Sequence, residues 1–185
     1  MTGHYLAAYT FNEFLDRYQS DLIKGFREAE PHAFRTIEAA EGFIARSGYD
    51  VEPGPETWGT QVFPRYWKDN GDGFAPSTLS LWTSAEALMA ATFHGIHGKA
   101  YRRGAEWHAH PAPWPNYALW WVAKDHQPDW AEAVRKIEHL GDHGPTETAF
   151  TFKALFDPEG RSFKPDTAKI KRLAASNQLK AQIEP

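Results

Sequence analysis

Apolar residues alternate from 5 to 11: Tyr5, Ala7, Tyr9 and Phe11 fall on one face, Leu6, Ala8 and Thr10 on the other. That period of two predicts a strand. Residues 12–28 mix charges and aromatics without a clear period. A helix is expected over 31–45, because Pro31 suits a first helical position and Phe34, Ile37, Ala40 and Ile44 form a stripe. Gly48, Pro53, Gly54 and Pro55 then read as a loop. A second strand is expected over 58–67, with Pro64 marking an edge or a bulge. Asn70-Gly71-Asp72-Gly73 is a strong turn signal before a third strand over 77–82.

Ser84 can cap the next helix, expected over 85–107, where Met89, Phe93, Ile96, Ala100 and Trp107 share a stripe. The run His110-Pro111-Ala112-Pro113-Trp114-Pro115 must end it. A fourth strand over 117–123 is apolar on both faces and reads as central. A third helix starts at Pro128, buries Trp130, Ala133, Val134, Ile137 and Leu140, and stops at Gly141 and Gly144-Pro145. A fifth strand is expected over 150–156, and a short helix over 166–182 in a more basic tail.

The first six elements follow the split βαβ order of the ferredoxin-like unit. The expectation is an α+β fold: an antiparallel sheet with helices on one face in a domain over 1–156, and an appended tail over 157–185. An aromatic sheet face left bare needs a cover, and a second copy is the simplest one, so a homodimer is expected.

Composition narrows the function classes. The chain has 185 residues, 42% apolar and 24% charged, the range of a globular domain. A net charge of -4 argues against general nucleic-acid binding, which needs a basic surplus. Cysteine is absent, which excludes disulfides, thiolate metal sites and cysteine nucleophiles. No apolar run reaches the length of a membrane span, and Glu13, Asp16 and Asp21 interrupt the early apolar stretch. A cytoplasmic protein with neither membrane nor nucleic-acid partner is expected. Aromatics are abundant at 15%, with 8 Trp, enough to line a pocket or an interface as well as a core. There is no phosphate-binding glycine motif and no nucleophile elbow.

A family resemblance enters through Ser80-Leu81-Trp82-Thr83-Ser84-Ala85-Glu86-Ala87-Leu88, His97 and Tyr101-Arg102-Arg103-Gly104-Ala105-Glu106-Trp107. It continues through Ala118-Leu119-Trp120-Trp121-Val122, His126, His143-Gly144-Pro145-Thr146 and Ala149-Phe150-Thr151-Phe152. This stretch resembles the bacterial family catalogued as domain of unknown function 3291, within the dimeric α+β barrel superfamily. That superfamily holds cofactor-free quinol-type monooxygenases, haem-degrading monooxygenases, chlorite dismutases and small isomerases. Trp82 and His97 look like the Trp and helix-borne His of many of its members.

The resemblance implies an oxidoreductase acting on an aromatic or quinol-like small molecule without a cofactor. His97, at the edge of the helical stripe, would be the base. Arg103 or His126 would stabilise a developing oxyanion. Tyr9, Trp67, Trp82, Phe93 and Trp121 would line the pocket. Two alternatives stand beside it. One is a haem protein with His97 as axial ligand, although Thr10 stands where the haem-degrading relatives carry Asn, with Asn12 two residues on. The other is a non-catalytic ligand-binding dimer.

Each residue also has a plainer reading. His97 is then a boundary histidine bonded to backbone, and Arg103 is the partner of Glu106. The aromatics become core. His126 and His143 become turn residues, and His108 and His110 cap a helix end. His94 forms an i, i+3 pair with His97, but no third ligand is evident and no metal site is expected.

Overall fold

The computed structural model describes residues 3–50, 53–109 and 113–183. The expectation for His110 falls outside the described residues.

In chain order the elements are β1 (His4–Phe11), β2 (Glu13–Phe14), α1 (Lys24–Glu38), β3 (Phe43–Arg46) and β4 (Ser77–Trp82). Then come α2 (Ala85–Phe93), α3 (Gly95–Arg102), a 3-10 turn (Gly104–Glu106), β5 (His108–Ala109) and β6 (Tyr117–Ala123). The chain ends with α4 (Trp130–His143), β7 (Leu155–Phe156), β8 (Ser162–Phe163) and α5 (Thr167–Ile183). The main sheet has the order β3-β4-β1-β6, every neighbouring pair antiparallel. This is the α+β, ferredoxin-like arrangement expected from the element order.

The alternation in β1 sorts the core into two layers. Leu6 and Ala8 join Trp82, Leu119 and the α2 residues Ala87, Leu88 and Ala91 on one face. Ala7, Tyr9 and Phe11 join Leu79, Trp120, Trp130 and Ile137 on the other. The second face is therefore not bare. The same chain covers it with α4 and with Trp58, Phe63, Tyr66 and Trp67 of the β3–β4 connection, leaving Tyr9, Phe11 and Leu79 at 0% exposure. The stated reason for a second copy, an uncovered sheet face, is absent.

Several boundaries differ from expectation. The first helix lies at Lys24–Glu38, so Pro31 sits inside it. Residues 43–46 form strand β3, because Gly42 turns the chain at φ +88° and pairing with β4 outweighs the helical stripe. The expected strand over 58–67 is instead an irregular aromatic cover. β6 is an edge strand of the four. Its outer edge is closed by Phe150, whose backbone exchanges hydrogen bonds of 2.8 and 2.9 Å with Leu119. The expected strand over 150–156 reduces to that bridge and to β7.

The expected helix over 85–107 is three pieces. Ser84 caps α2 by accepting from the Ala87 N–H at 3.2 Å. α2 ends at Phe93, and Gly95 adopts φ +63° between the helices. The tail helix α5 packs on α2 through Ile170, Leu173 and Ala174. Among the described residues no helix is long and apolar enough to cross a membrane.

Candidate functional site

Two adjoining cavities lie between α1, β3 and the loop that follows β3. One cavity of about 260 Å³ is lined by Glu30, Phe34, Arg35, Glu38, Arg46 and Tyr49, with Gly48, Pro53 and Gly54 as floor. A second, of about 460 Å³, continues along Glu38, Phe43, Ala45, Arg46, Gly54 and Pro55. The loop neck is closed by one backbone bond and one bond to a serine hydroxyl. Gly48 N–H donates to Glu56 O at 3.0 Å, and Trp58 N–H donates to Ser47 Oγ at 2.9 Å. Inside the cleft the Arg46 guanidinium lies 4.0 Å from the Phe34 ring centre and donates from Nε to Glu38 Oε1 at 2.6 Å. Arg46 is thus held by a π face, by a carboxylate and, through Nη1, by Ser47 O at 3.2 Å. Arg35 is exposed on the rim, and its Nη2 meets His32 Nδ1 at 2.6 Å.

Tyr49 forms the inner wall. Its ring lies 6.5 Å from Phe34 and stacks on Trp130 at 5.8 Å, and its hydroxyl donates to Ser77 O at 2.7 Å. The sequence names none of Phe34, Arg35, Arg46 and Tyr49 as site residues. The Gly48…Pro53-Gly54-Pro55 pattern marks the loop, but not the long-range partners that make it a wall.

The residues selected from sequence are not gathered into one pocket. Trp82, Phe93 and Trp121 belong to the α2 side, where Trp82 Nε1 donates to Ser80 Oγ at 2.9 Å and Trp121 Nε1 to Phe156 O at 2.6 Å. Phe93 packs edge-on to Phe152 at 5.2 Å. Tyr9 and Trp67 belong to the opposite side of the sheet, with Trp67 against Phe63 at 4.2 Å. The sheet itself separates the two groups.

His97 is partly buried in α3. Its Nδ1 lies 2.9 Å from Thr92 O. A carbonyl can only accept, so Nδ1 carries the proton, and the lone pair of the neutral ring sits on Nε2. Burial pushes the imidazole below its ordinary pKa, against the opposing pull of the Thr92 bond. A haem would need an open slot at Nε2, and His97 lines neither described cavity.

Arg103 does not lie on a buried helical face, because the helix has already ended at Arg102. Its side chain is 57% exposed and bidentate on Glu106, with Nη2 to Oε2 at 2.8 Å, and its guanidinium covers Trp107 at 4.9 Å. That is the ion pair of the plainer reading, and the cation is committed to it.

His126 follows β6 and reaches α4, where its Nε2 lies 2.7 Å from Glu132 Oε2. Glu132 also accepts from the Trp120 indole at 2.8 Å, while its backbone N–H is capped by Asp129 at 2.6 Å. In an ordinary capping box a Glu at this position turns back to the cap residue. Here it is diverted to a buried indole and a half-exposed imidazole. His143, at the end of α4, bonds to His139 O through Nδ1 at 3.0 Å. Among the described residues no three His, Asp or Glu side chains cluster as a metal site.

The family comparison identifies the fold unit. Residues 5–166 match the family described as a domain of unknown function, DUF3291, and the chain belongs to that family. Neither the curated proteins nor the solved structures contain a match.

Proposed function

We propose that this chain binds a flat aromatic small molecule in the cleft between α1 and β3. The observation that carries the reading is the pairing of two aromatic walls, Phe34 and Tyr49, with charged groups, Arg35 on the rim and the Glu38–Arg46 pair inside. Aromatic walls supply burial, and a few placed polar groups supply orientation, which is the usual make-up of a small-molecule site. Glu38 and Arg46 neutralise each other at 2.6 Å, so they favour a ligand of low net charge.

Titration of the intact protein with toluene and acetophenone, followed by NMR, tests this. Phe34→Ala is expected to weaken binding of each about tenfold, the scale of one lost aromatic contact. Binding that is unchanged in both Phe34→Ala and Tyr49→Ala overturns the cleft as the site.

A second reading keeps catalysis, and the His97 tautomer favours it. A neutral imidazole with its lone pair on Nε2 is suited to take a phenolic proton ahead of reaction with dioxygen. Oxygen uptake with electron-rich phenols, lost in His97→Gln while the fold is retained, is the expected result. Equal uptake in that variant removes the reading.

A further inference from the structure

β3 is an edge strand, and its neighbour in the main sheet is β4. The register steps from Phe43↔Trp82 to Ala45↔Leu81, so Ile44 is the extra residue of a bulge with no partner opposite it. Ser47 N–H donates to Leu79 O at 2.9 Å. Backbone groups along a strand alternate between facing the neighbour and facing away, so Arg46 turns its N–H and C=O outward. Among the described residues, neither Ile44 nor Arg46 makes a backbone-to-backbone hydrogen bond outside the β3–β4 pairing.

That open edge faces the cleft. The larger cavity touches both Phe43 and Ala45. Phe43 packs in the α2 layer, edge-on to Trp82 at 5.4 Å, and Ala45 packs in the α4 layer. A cavity that reaches side chains on both faces of one strand runs along its edge. α1 rises on one side of it and the Pro53-Gly54-Pro55 loop on the other, so the edge is recessed. The β3 of a second copy carries the same walls and is kept out by them, whereas a single extended segment fits between. The bulge likewise discourages pairing with a whole sheet. A lone strand still meets Ile44, apolar and 38% exposed.

The smaller cavity continues from this edge to the Phe34 and Tyr49 walls. Among the described residues, the charged groups lining the two cavities are Glu30, Arg35, Glu38 and Arg46, which balance in sign and favour a partner without net charge. We propose that the β3 edge takes an uncharged extended peptide, which pairs with the outward backbone groups of Ile44 and Arg46 and lays one aromatic side chain against Phe34 and Tyr49. Main-chain hydrogen bonds then supply affinity, and the aromatic slot selects the sequence. This rests on the cleft being an aromatic site and adds the kind of partner that presents the ring.

The probe is the peptide acetyl-Ser-Val-Phe-Val-Ser-amide, titrated into the ¹⁵N-labelled full chain. Three analogues accompany it: Phe replaced by Ala, Phe N-methylated, and both Val N-methylated. In an extended strand the Phe N–H and the Val N–H groups face opposite edges, so one set alone can reach β3. The parent peptide is expected to shift the Ile44 and Arg46 amide resonances and to slow their hydrogen exchange. One N-methylated analogue is expected to bind about tenfold more weakly and the other like the parent, and the Ala analogue is expected to lose about tenfold. Equal affinities of the two N-methylated analogues, or stationary Ile44 and Arg46 amides, overturn the proposal. So does exchange protection of those amides that rises with protein concentration in the absence of peptide, which assigns the edge to a second copy. If toluene and acetophenone bind and depend on Phe34 while the peptide does not bind, the peptide falls and the cleft reading stands. If none of the three binds, both fall.

Discussion

Lys169 of α5 reaches back to Glu86 of α2, placing Nζ 3.1 Å from Oε2 and 3.3 Å from the Ser84 cap hydroxyl. The Asp166 N–H also donates to the Glu86 carboxylate, at 3.3 Å. The contact matters because the family match ends at residue 166 and α5 begins at Thr167. The helix beyond the matched unit is therefore fastened by a carboxylate within it. Burial pushes the Glu86 carboxyl upward, but its own backbone N–H, Lys169 and the Asp166 N–H outweigh that and hold it below the ordinary range. A depressed folded-state pKa means that the unfolded chain binds the proton first as pH falls. The stability from this group is present above the ordinary carboxylate pKa and is lost as pH drops through the lowered one. Lys169→Met is expected to destabilise by about 1–3 kcal/mol at neutral pH, because it strands a mostly buried charge. The loss is expected to shrink at acid pH, once the pH has fallen through the lowered folded-state pKa and Glu86 is neutral in both states. Urea melts at the two pH values check this, and an equal loss at both would remove the electrostatic account.

Glu132 predicts a different balance. It satisfies the buried Trp120 indole at 2.8 Å and holds His126 at 2.7 Å. Glu132→Gln keeps an acceptor oxygen for the indole, whereas Glu132→Ala leaves the N–H with none. The expected loss is under about 1 kcal/mol for Gln and about 1–3 kcal/mol for Ala. Chemical denaturation of the two variants measures the gap. If both lose the same stability, the charge contact with His126 dominates and the indole bond is minor.

His97 gives a signed pH prediction. Burial lowers its pKa in the folded protein, so between that value and the ordinary one, near 6.5, the unfolded chain binds more protons. Its contribution to stability is complete above about pH 6.5 and declines as pH falls through the folded-state pKa. An NMR titration is expected to find the His97 midpoint below 6.5. His97→Gln is expected to flatten stability in the range from the lowered folded-state pKa up to the ordinary one. A midpoint above 6.5 contradicts the burial of the ring.

Legibility in the sequence tracks how local the deciding physics is. The strands at 77–82 and 117–123, the Ser84 cap and the buried face of α4 follow from period and capping alone. The first helix does not. Phe43 and Ala45 fit either a helical stripe or a strand, and the choice belongs to pairing with Trp82 and Leu81 far along the chain. The split between α2 and α3 turns on the backbone of Gly95, so the stripe drawn along one continuous helix over 85–107 does not carry through to Trp107. Trp82 and Trp121 flank Leu6, with which both are in register, a pairing between residues far apart in the chain that period alone does not give. Tyr9 shares β1 with Leu6 but packs on the other face of the sheet, so the strand's period of two separates it from Trp82 and Trp121. The cleft was illegible because Tyr49 becomes its wall only through Trp130 and Ser77, which are distant in sequence.

Gly48 and Gly54 bracket the cleft floor and make opposite predictions for one added methyl. Gly48 N–H closes the loop neck onto Glu56 O, and a Cβ at Gly48 would collide with the Pro55 carbonyl oxygen. That atom is backbone and cannot swing aside, so either the neck opens or strain is kept. Overpacking of this kind costs about 1–3 kcal/mol. Around Gly54 a Cβ meets nothing within 4 Å. Gly54→Ala is therefore expected to fall within about 0.5 kcal/mol of the parent, the range of neutral surface changes. In thermal melts Gly48→Ala is expected to lower Tm by about 3–10 °C, with Gly54→Ala near the parent. Toluene binding separates stability from function. Opening the neck moves Tyr49, the residue next to Gly48, away from Phe34, so the Gly48 variant is expected to lose affinity even at temperatures where it remains folded. If it binds toluene as well as the parent does, the neck is not what sets the wall.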